Sequence, residues 1–201
     1  MSSTSVLRSV LSQPSGAIGL TLVVGHVMLA LLSPILLPHD PLAQSTDLIL
    51  QAPSLSHPFG TDRLGRDILS RAMLGGREAM LIATLATLIA LVWGTVVGLF
   101  LALIGGWIDT YVMRIVDALS SIPGILIVMI FVAALGVGAA ALIPILGYSY
   151  GFSVIYIARA AALDFVARDF VLAAQARGEA RSTILIREIL PNVRDTLAVQ
   201  G

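Results

Sequence analysis

The sequence predicts an all-α polytopic membrane protein with about four transmembrane helices. Three observations predict it. Apolar residues make up 57% of the 201-residue chain and charged residues only 12%, about half the usual soluble share. The charges are unevenly spread, leaving residues 80–108 and 118–158 without one. Finally, no internal repeat is visible, and the hydrophobicity is too high for a disordered chain.

A spanning helix needs about 20 mostly apolar residues to cross a ~30 Å hydrocarbon core. The first is expected at 16–37, an uncharged run with His26 as its one polar oddity. It is too long for the apolar core of a cleavable signal peptide, so an uncleaved anchor is expected. Residues 1–15 form a tail ahead of it.

Residues 38–79 have another character. Pro38, Pro41, Pro53 and Pro58 break helices, and nine charges appear. The segment reads as extramembrane. Its end places Ile68, Leu69, Ala72 and Met73 on one helical face, which suggests a short amphipathic helix on the membrane surface.

The second span is expected at about 80–104, ending at Gly105-Gly106. Gly94 and Gly98 have the small-xxx-small spacing that lets helices approach closely. A polar link follows, with Asp109, Arg114 and Asp117. The uncharged run 118–158 is about twice what one span requires. It divides at Gly136-Val137-Gly138, giving spans near 113–135 and 139–160. Pro123, Pro144 and Gly147 then lie inside spans, where neighbouring helices can satisfy freed backbone groups.

From Arg159 to residue 195 the chain carries six Arg and five acidic residues. Apolar residues recur there at helical spacing. Gly178 can end one helix in a left-handed cap, and Ser182 or Thr183 can start the next. A further helix could begin at Pro191. The arginine count weakly favours a cytoplasmic C-terminal segment.

Several chemistries are excluded or disfavoured. Net charge is zero, so there is no basic field for nucleic acid. Absence of cysteine removes disulfides, thiolate metal sites and a cysteine nucleophile. Gly147-Tyr148-Ser149-Tyr150-Gly151 fits a nucleophile-elbow pattern, but that pattern needs a strand–turn–helix context. A membrane-embedded serine hydrolase using Ser149 is therefore the minor alternative. His26 is expected to make a helix-to-helix hydrogen bond. His39 and His57 lack metal-ligand spacing, so no metal site is expected. No phosphate-binding loop is present, so no cofactor is expected and any ATP hydrolysis belongs to another chain.

One segment carries a resemblance. Phe170-Val171-Leu172-Ala173-Ala174-Gln175-Ala176-Arg177-Gly178, followed by Ile189-Leu190-Pro191-Asn192, resembles the cytoplasmic Glu-Ala-Ala loop of permease subunits of bacterial ABC importers. His57-Pro58-Phe59-Gly60-Thr61-Asp62-Arg63-Leu64-Gly65-Arg66-Asp67 resembles the Gly-Thr-Asp-x-x-Gly-Arg-Asp motif of the peptide and nickel branch. The stretches from Gly105 to Asp109, from Met113 to Asp117 with Pro123, and from Arg168 to Ala174 match in the same order. The resemblance covers most of residues 57–194.

It implies a multi-pass subunit of the cytoplasmic (inner) membrane that moves peptides, nickel or similar small solutes. The 80–191 region becomes its permease domain, with a cytoplasmic coupling-helix segment at about 164–191. The implied partners are ABC ATPase subunits, a second permease subunit, an extracytoplasmic solute-binding protein and the lipid bilayer. Leu172, Ala173, Ala174, Gly178, Ile189, Leu190 and Pro191 fall in the ATPase-coupling loop. Gly60, Thr61, Asp62, Gly65, Arg66 and Asp67 fall in the external motif. Residues Asp62, Arg63, Arg66 and Asp67 read as a self-paired polar turn. The resemblance also places residues 1–15 in the cytoplasm and 38–79 outside it.

Two departures stand out. Leu172 occupies the position of the family's glutamate; Arg168, Asp169, Arg177 and Glu179 are the charges that can compensate. Family subunits also continue with further spans, so 192–201 is expected to be the start of a missing C-terminal part. A non-transporting truncated remnant or assembly factor is the corresponding alternative.

Overall fold

The computed structural model describes residues 11–136 and 138–191, and its described residues contain helices and no strand. The expected continuation at 192–201 and most of the 1–15 tail lie outside the described residues. The chain forms two compact units, one up to Leu81 and one from Ile82.

In the first unit, helix α1 (Pro14–Leu36) opens with Pro14 in its first turn, where a missing N–H is no loss. Ser33 is its one buried residue. Ile18, Leu22, Val23 and Leu31 are each at least 60% exposed. A helix that is apolar all round and uncovered is built for a lipid environment. His26 bonds within this helix: its ring Nδ1–H donates to the Leu22 carbonyl at 3.1 Å. The expected helix-to-helix bond is replaced by a local one, because a carbonyl one turn back is always within reach.

After α1 the chain runs through turns and one short 3-10 turn (Thr46–Leu48) to Asp67. Helix α2 (Ile68–Ile104) then extends for 37 residues without interruption. The surface helix expected before the second span is thus continuous with it, as the first part of one long helix. No proline lies between 68 and 104, and Gly75-Gly76 alone does not stop the helix. At 1.5 Å per residue α2 is about 55 Å long, well beyond a ~30 Å hydrocarbon core. Its charges, Arg71, Arg77 and Glu78, are confined to its first turns.

In the second unit, α2 ends at Ile104, and Gly105 and Gly106 both have positive φ. Helix α3 (Gly106–Ser120) and helix α4 (Gly124–Leu135) follow, bent by 72° at the break between them. The single span expected at 113–135 is therefore a bent pair. Pro123 accounts for the break: it has no N–H for the ladder, disfavours helical dihedrals in the residue before it and is itself extended, with ψ 122°. Helix α4 has 12 residues, about 18 Å, too short to cross a bilayer alone.

Helix α5 (Ala139–Val166) begins after Gly136 and Gly138, as expected, and runs six residues beyond the expected 160. Pro144 is accommodated inside it without a break. Helices α1, α2 and α5 are each long and apolar enough to cross a membrane, and α3 with α4 qualify together.

The small residues of α2 meet those of α5. A Cβ on Gly94 would come within 2.7 Å of the Gly151 carbonyl oxygen, and one on Gly98 within 2.6 Å of the Ile155 oxygen. Only glycine allows this approach. The Trp93 indole N–H donates to the Gly147 carbonyl at 3.1 Å, and its ring meets Phe152 edge to face. Leu101, Val116 and Ile155 close a core between α2, α3 and α5.

Candidate functional site

The segment expected to be the coupling loop consists of α6 (Asp169–Ala176) and α7 (Arg181–Ile184), the latter running into a wider π-helical turn (Leu185–Ile189). Gly178 ends α6 with φ +77°, and the Glu179 N–H donates to the Ala174 carbonyl at 3.2 Å. This is the expected left-handed cap. Ser182 and Thr183 do not start the second helix. The Ala180 carbonyl already accepts from the N–H groups of Thr183 and Ile184, so both residues lie inside α7. The Leu190 N–H reaches back five residues to Leu185. Pro191, next in the chain, cannot donate and crowds the carbonyl four residues before it, which favours this widening. Helical backbone continues through Pro191.

The segment has two faces. Val171, Ala174, Ile184 and Ile189 are fully buried, packed with Leu99, Ala102, Leu103, Ala158 and Ala162. Phe170, Leu172 and Ile186 are exposed, Leu172 by 49% and Ile186 by 59%. Ala173, Gly178 and Pro191 are exposed, and Leu190 is half-buried. Ala173 and Ala174 therefore lie on different faces of the segment. Successive helical residues are rotated by about 100°, so one alanine points out and the other anchors the segment. Ile189 is likewise an anchor.

The charges around Leu172 are largely engaged. Arg177 donates two hydrogen bonds to Glu179, at 3.0 and 2.7 Å. The Arg168 guanidinium sits 4.6 Å from the centre of the Phe165 ring, a cation–π arrangement. Asp169 lies in the first turn of α6, where negative charge is favoured.

Two polar links were not paired by sequence reasoning. Arg159 of α5 grips Asp109 of α3 through two hydrogen bonds, at 2.6 and 2.5 Å, and Asp109 is buried. The Tyr156 hydroxyl donates to the Asp117 carboxylate. The available signal was a lone arginine after 41 uncharged residues, with acidic residues in the only polar link nearby.

Ser149 lies within continuous helix, not at a strand–turn–helix elbow. It lines a cleft of about 430 Å³ with Ser120, Ile125, Val128, Tyr150 and Ser153. No histidine or carboxylate lines that cleft, so the serine has no base beside it.

The motif expected to be external folds in the first unit. Gly60 and Gly65 both have φ +71°, and a Cβ on either would collide with the backbone oxygen of Gln51 or Ser45. The Gln51 N–H donates to the Thr61 hydroxyl at 2.9 Å, and that hydroxyl donates to the Leu48 carbonyl. Asp62 accepts from the N–H groups of Leu64 and Arg66 at 2.8 and 3.1 Å, and from the Arg66 guanidinium. The Arg66 side-chain hydrogen bond chiefly holds the Asp62 carboxyl down to about 2. Desolvation opposes it as the next largest effect, and the backbone N–H donors of Arg66 and Leu64 lower the carboxyl further.

The expected self-paired turn is thus half correct. Asp67 leaves it and accepts instead from the Ser70 N–H and hydroxyl at 2.8 and 2.7 Å and from His57 at 3.0 Å. Burial alone would raise the Asp67 carboxyl, but these hydrogen bonds outweigh it and leave it lowered. His39 and His57, which show no metal-ligand pattern in sequence, come together with Asp67 because the loop closes on itself. Their rings stack with centres 4.5 Å apart.

Residues 94–200 match the family described as binding-protein-dependent transport system inner membrane component. The chain belongs to this family. Its members are transport components of membranes rather than enzymes, in line with the expectation that this chain performs no chemistry. Three curated relatives are similar along most of the chain. The dipeptide transport system permease protein DppC of Alkalihalophilus pseudofirmus is 31% identical over 192 residues, 92% of this chain and 60% of that protein. Its namesake in Bacillus subtilis is 31% identical over 182 residues, 90% of this chain and 57% of that protein. A putative peptide transport system permease of Brucella suis is 34% identical over 195 residues, 96% of this chain and 64% of that protein. The chain therefore spans about three fifths of the length of the family members it matches.

Proposed function

We propose that this chain is a permease subunit of an ABC importer of the cytoplasmic (inner) membrane, with peptides as its solute class. The single observation that carries the reading is the two-faced coupling segment. A short helix pair is fastened to the transmembrane bundle by Val171, Ala174, Ile184 and Ile189, while Leu172, Ala173 and Ile186 remain uncovered. That arrangement suits a lever. An ATPase subunit takes the exposed face, and its movement passes through the buried face to α2 and α5 as a rigid-body shift. The similarity to dipeptide and peptide permeases supports peptides as cargo.

In this reading a second permease subunit completes the path, and a solute-binding protein delivers cargo at the loop between α1 and α2. The N-terminal tail and the coupling segment share the cytoplasmic side. Nickel is the competing cargo. Uptake of labelled dipeptide and of labelled nickel(II), each measured separately in cells carrying the assembled transporter, distinguishes the two: nickel uptake without dipeptide uptake contradicts the peptide assignment.

Orientation has its own test, because the chain contains no cysteine. Leu55 and Ala173 are both exposed. In intact spheroplasts a membrane-impermeant maleimide should label Leu55→Cys and spare Ala173→Cys. The reverse pattern would overturn the orientation.

A further inference from the structure

We propose that His39, His57 and Asp67 bind one divalent transition-metal ion of the zinc type in the loop joining α1 to α2. One ligand atom from each residue lies within 4.8 Å of the others. Two imidazoles and one carboxylate form a nitrogen–oxygen donor set suited to zinc, with a fourth position left for water.

The spacings suit an ion. Metal–ligand bonds of about 2.0–2.2 Å at tetrahedral angles put ligand atoms about 3.3–3.6 Å apart. His57 Nδ1 lies 3.0 Å from Asp67 Oδ1, and His39 Nδ1 lies 4.0 Å from Asp67 Oδ2. The two distances run to different oxygens of the Asp67 carboxylate, so binding one ion requires the three side chains, whose ligand atoms already lie within 4.8 Å of one another, to draw together. His57 and Asp67 are buried, whereas the His39 side chain is 41% exposed. An ion can therefore enter past His39.

The support around the three residues is already built. The Ser70 hydroxyl, fully buried, donates to Asp67 Oδ2 at 2.7 Å and accepts from the His39 backbone N–H at 3.2 Å. It fixes two of the three ligands to each other. The Ser54 hydroxyl accepts the His57 N–H, and the His57 carbonyl accepts those of Ser54 and Gly60. Such outer partners orient metal ligands and hold them in place. The competing reading is a metal-free staple, in which the His57–Asp67 hydrogen bond only closes the loop.

Titration of the untagged full chain, purified in detergent, separates the two, with cobalt(II) as the optical probe and zinc(II) as the competitor. One cobalt per chain is expected, with the strong visible band of a four-coordinate site, displaced by zinc. His39→Ala should lower the affinity at least ~10-fold while circular dichroism stays unchanged, since His39 is the exposed member. Ser70→Ala should weaken it by roughly 10–100-fold. His26→Ala should have no effect. Absence of saturable one-ion binding to the folded native chain overturns the proposal. So does binding of unchanged strength in His39→Ala.

Discussion

The guanidinium of Arg159 holds both carboxylate oxygens of Asp109, at 2.6 and 2.5 Å, and so ties α5 to α3. This is a two-point clasp of the kind only arginine makes well. Removing one partner strands the other. For a fully buried pair that costs about 3–5 kcal/mol. Arg159 keeps 28% of its side-chain exposure, so Asp109→Asn or Arg159→Met should cost about 2 kcal/mol. Denaturant unfolding in mixed micelles measures it. The double variant should cost less than the sum of the two single ones, and strict additivity would show that the clasp carries no coupling energy.

A second prediction concerns the α2–α5 contact. A Cβ at Gly98 would lie 2.6 Å from the Ile155 oxygen and 2.9 Å from the Ala158 Cβ. Gly98→Ala must push the helices apart and should destabilise by about 1–3 kcal/mol. Gly19, whose Cβ would meet nothing within 4 Å, should accept alanine with no loss. Thermal unfolding of the two variants compares them directly.

Much of this packing was legible. Uncharged runs located α1, α2 and α5, and Gly94 with Gly98 identified the close-packed stripe. Glycine punctuation at 105–106, 136–138 and 178 located the ends of helices. The 72° bend was not legible, because Pro123 and Pro144 look alike in sequence. Pro144 sits within a 28-residue helix that absorbs it, whereas Pro123 breaks its segment. The facing of Ala174 was hidden for another reason. In an eight-residue helix, apolar periodicity is too short to assign an inner face, and packing against Ala158 and Ala162 decides it. The meeting of His39, His57 and Asp67 arises from loop closure, which no local pattern encodes.

The loop between α1 and α2 should respond to acid in a defined window. Asp62 has its carboxyl held at about 2 against an ordinary 3.8. A carboxyl depressed by folding stabilises the folded loop above its ordinary value. That contribution is therefore intact above about pH 4 and declines as pH falls towards 2. Hydrogen exchange of residues 45–66 at pH 6 and pH 3 should show faster opening at pH 3 once corrected for intrinsic rates. Asp62→Asn should remove this contribution and open the loop already at pH 6. An unchanged loop in Asp62→Asn would contradict the assignment.

In the proposed docking, Leu172 sets the character of the contact. An apolar side chain stands in the middle of the exposed face, and Arg177 is already paired with Glu179. Association with an ATPase subunit should then depend only weakly on salt. Raising the salt from 0.1 to 0.5 M shortens the screening length about twofold, to about 4 Å, which weakens ion pairs but leaves apolar contacts in place, so affinity should change by less than about tenfold. Leu172→Glu should make the same association more salt-sensitive.

The most direct test of the coupling account is co-purification of an ATPase subunit with three forms of the chain: native, Ala173→Arg and Ala173→Ser. Ala173 is exposed between Leu172 and the anchoring Ala174, so arginine there should block docking without loosening the segment from α5. The account predicts that the ATPase binds the native and serine forms and is lost with arginine, all three forms unfolding at the same temperature. Equal ATPase recovery with the arginine form, or none with the folded native chain, would contradict it.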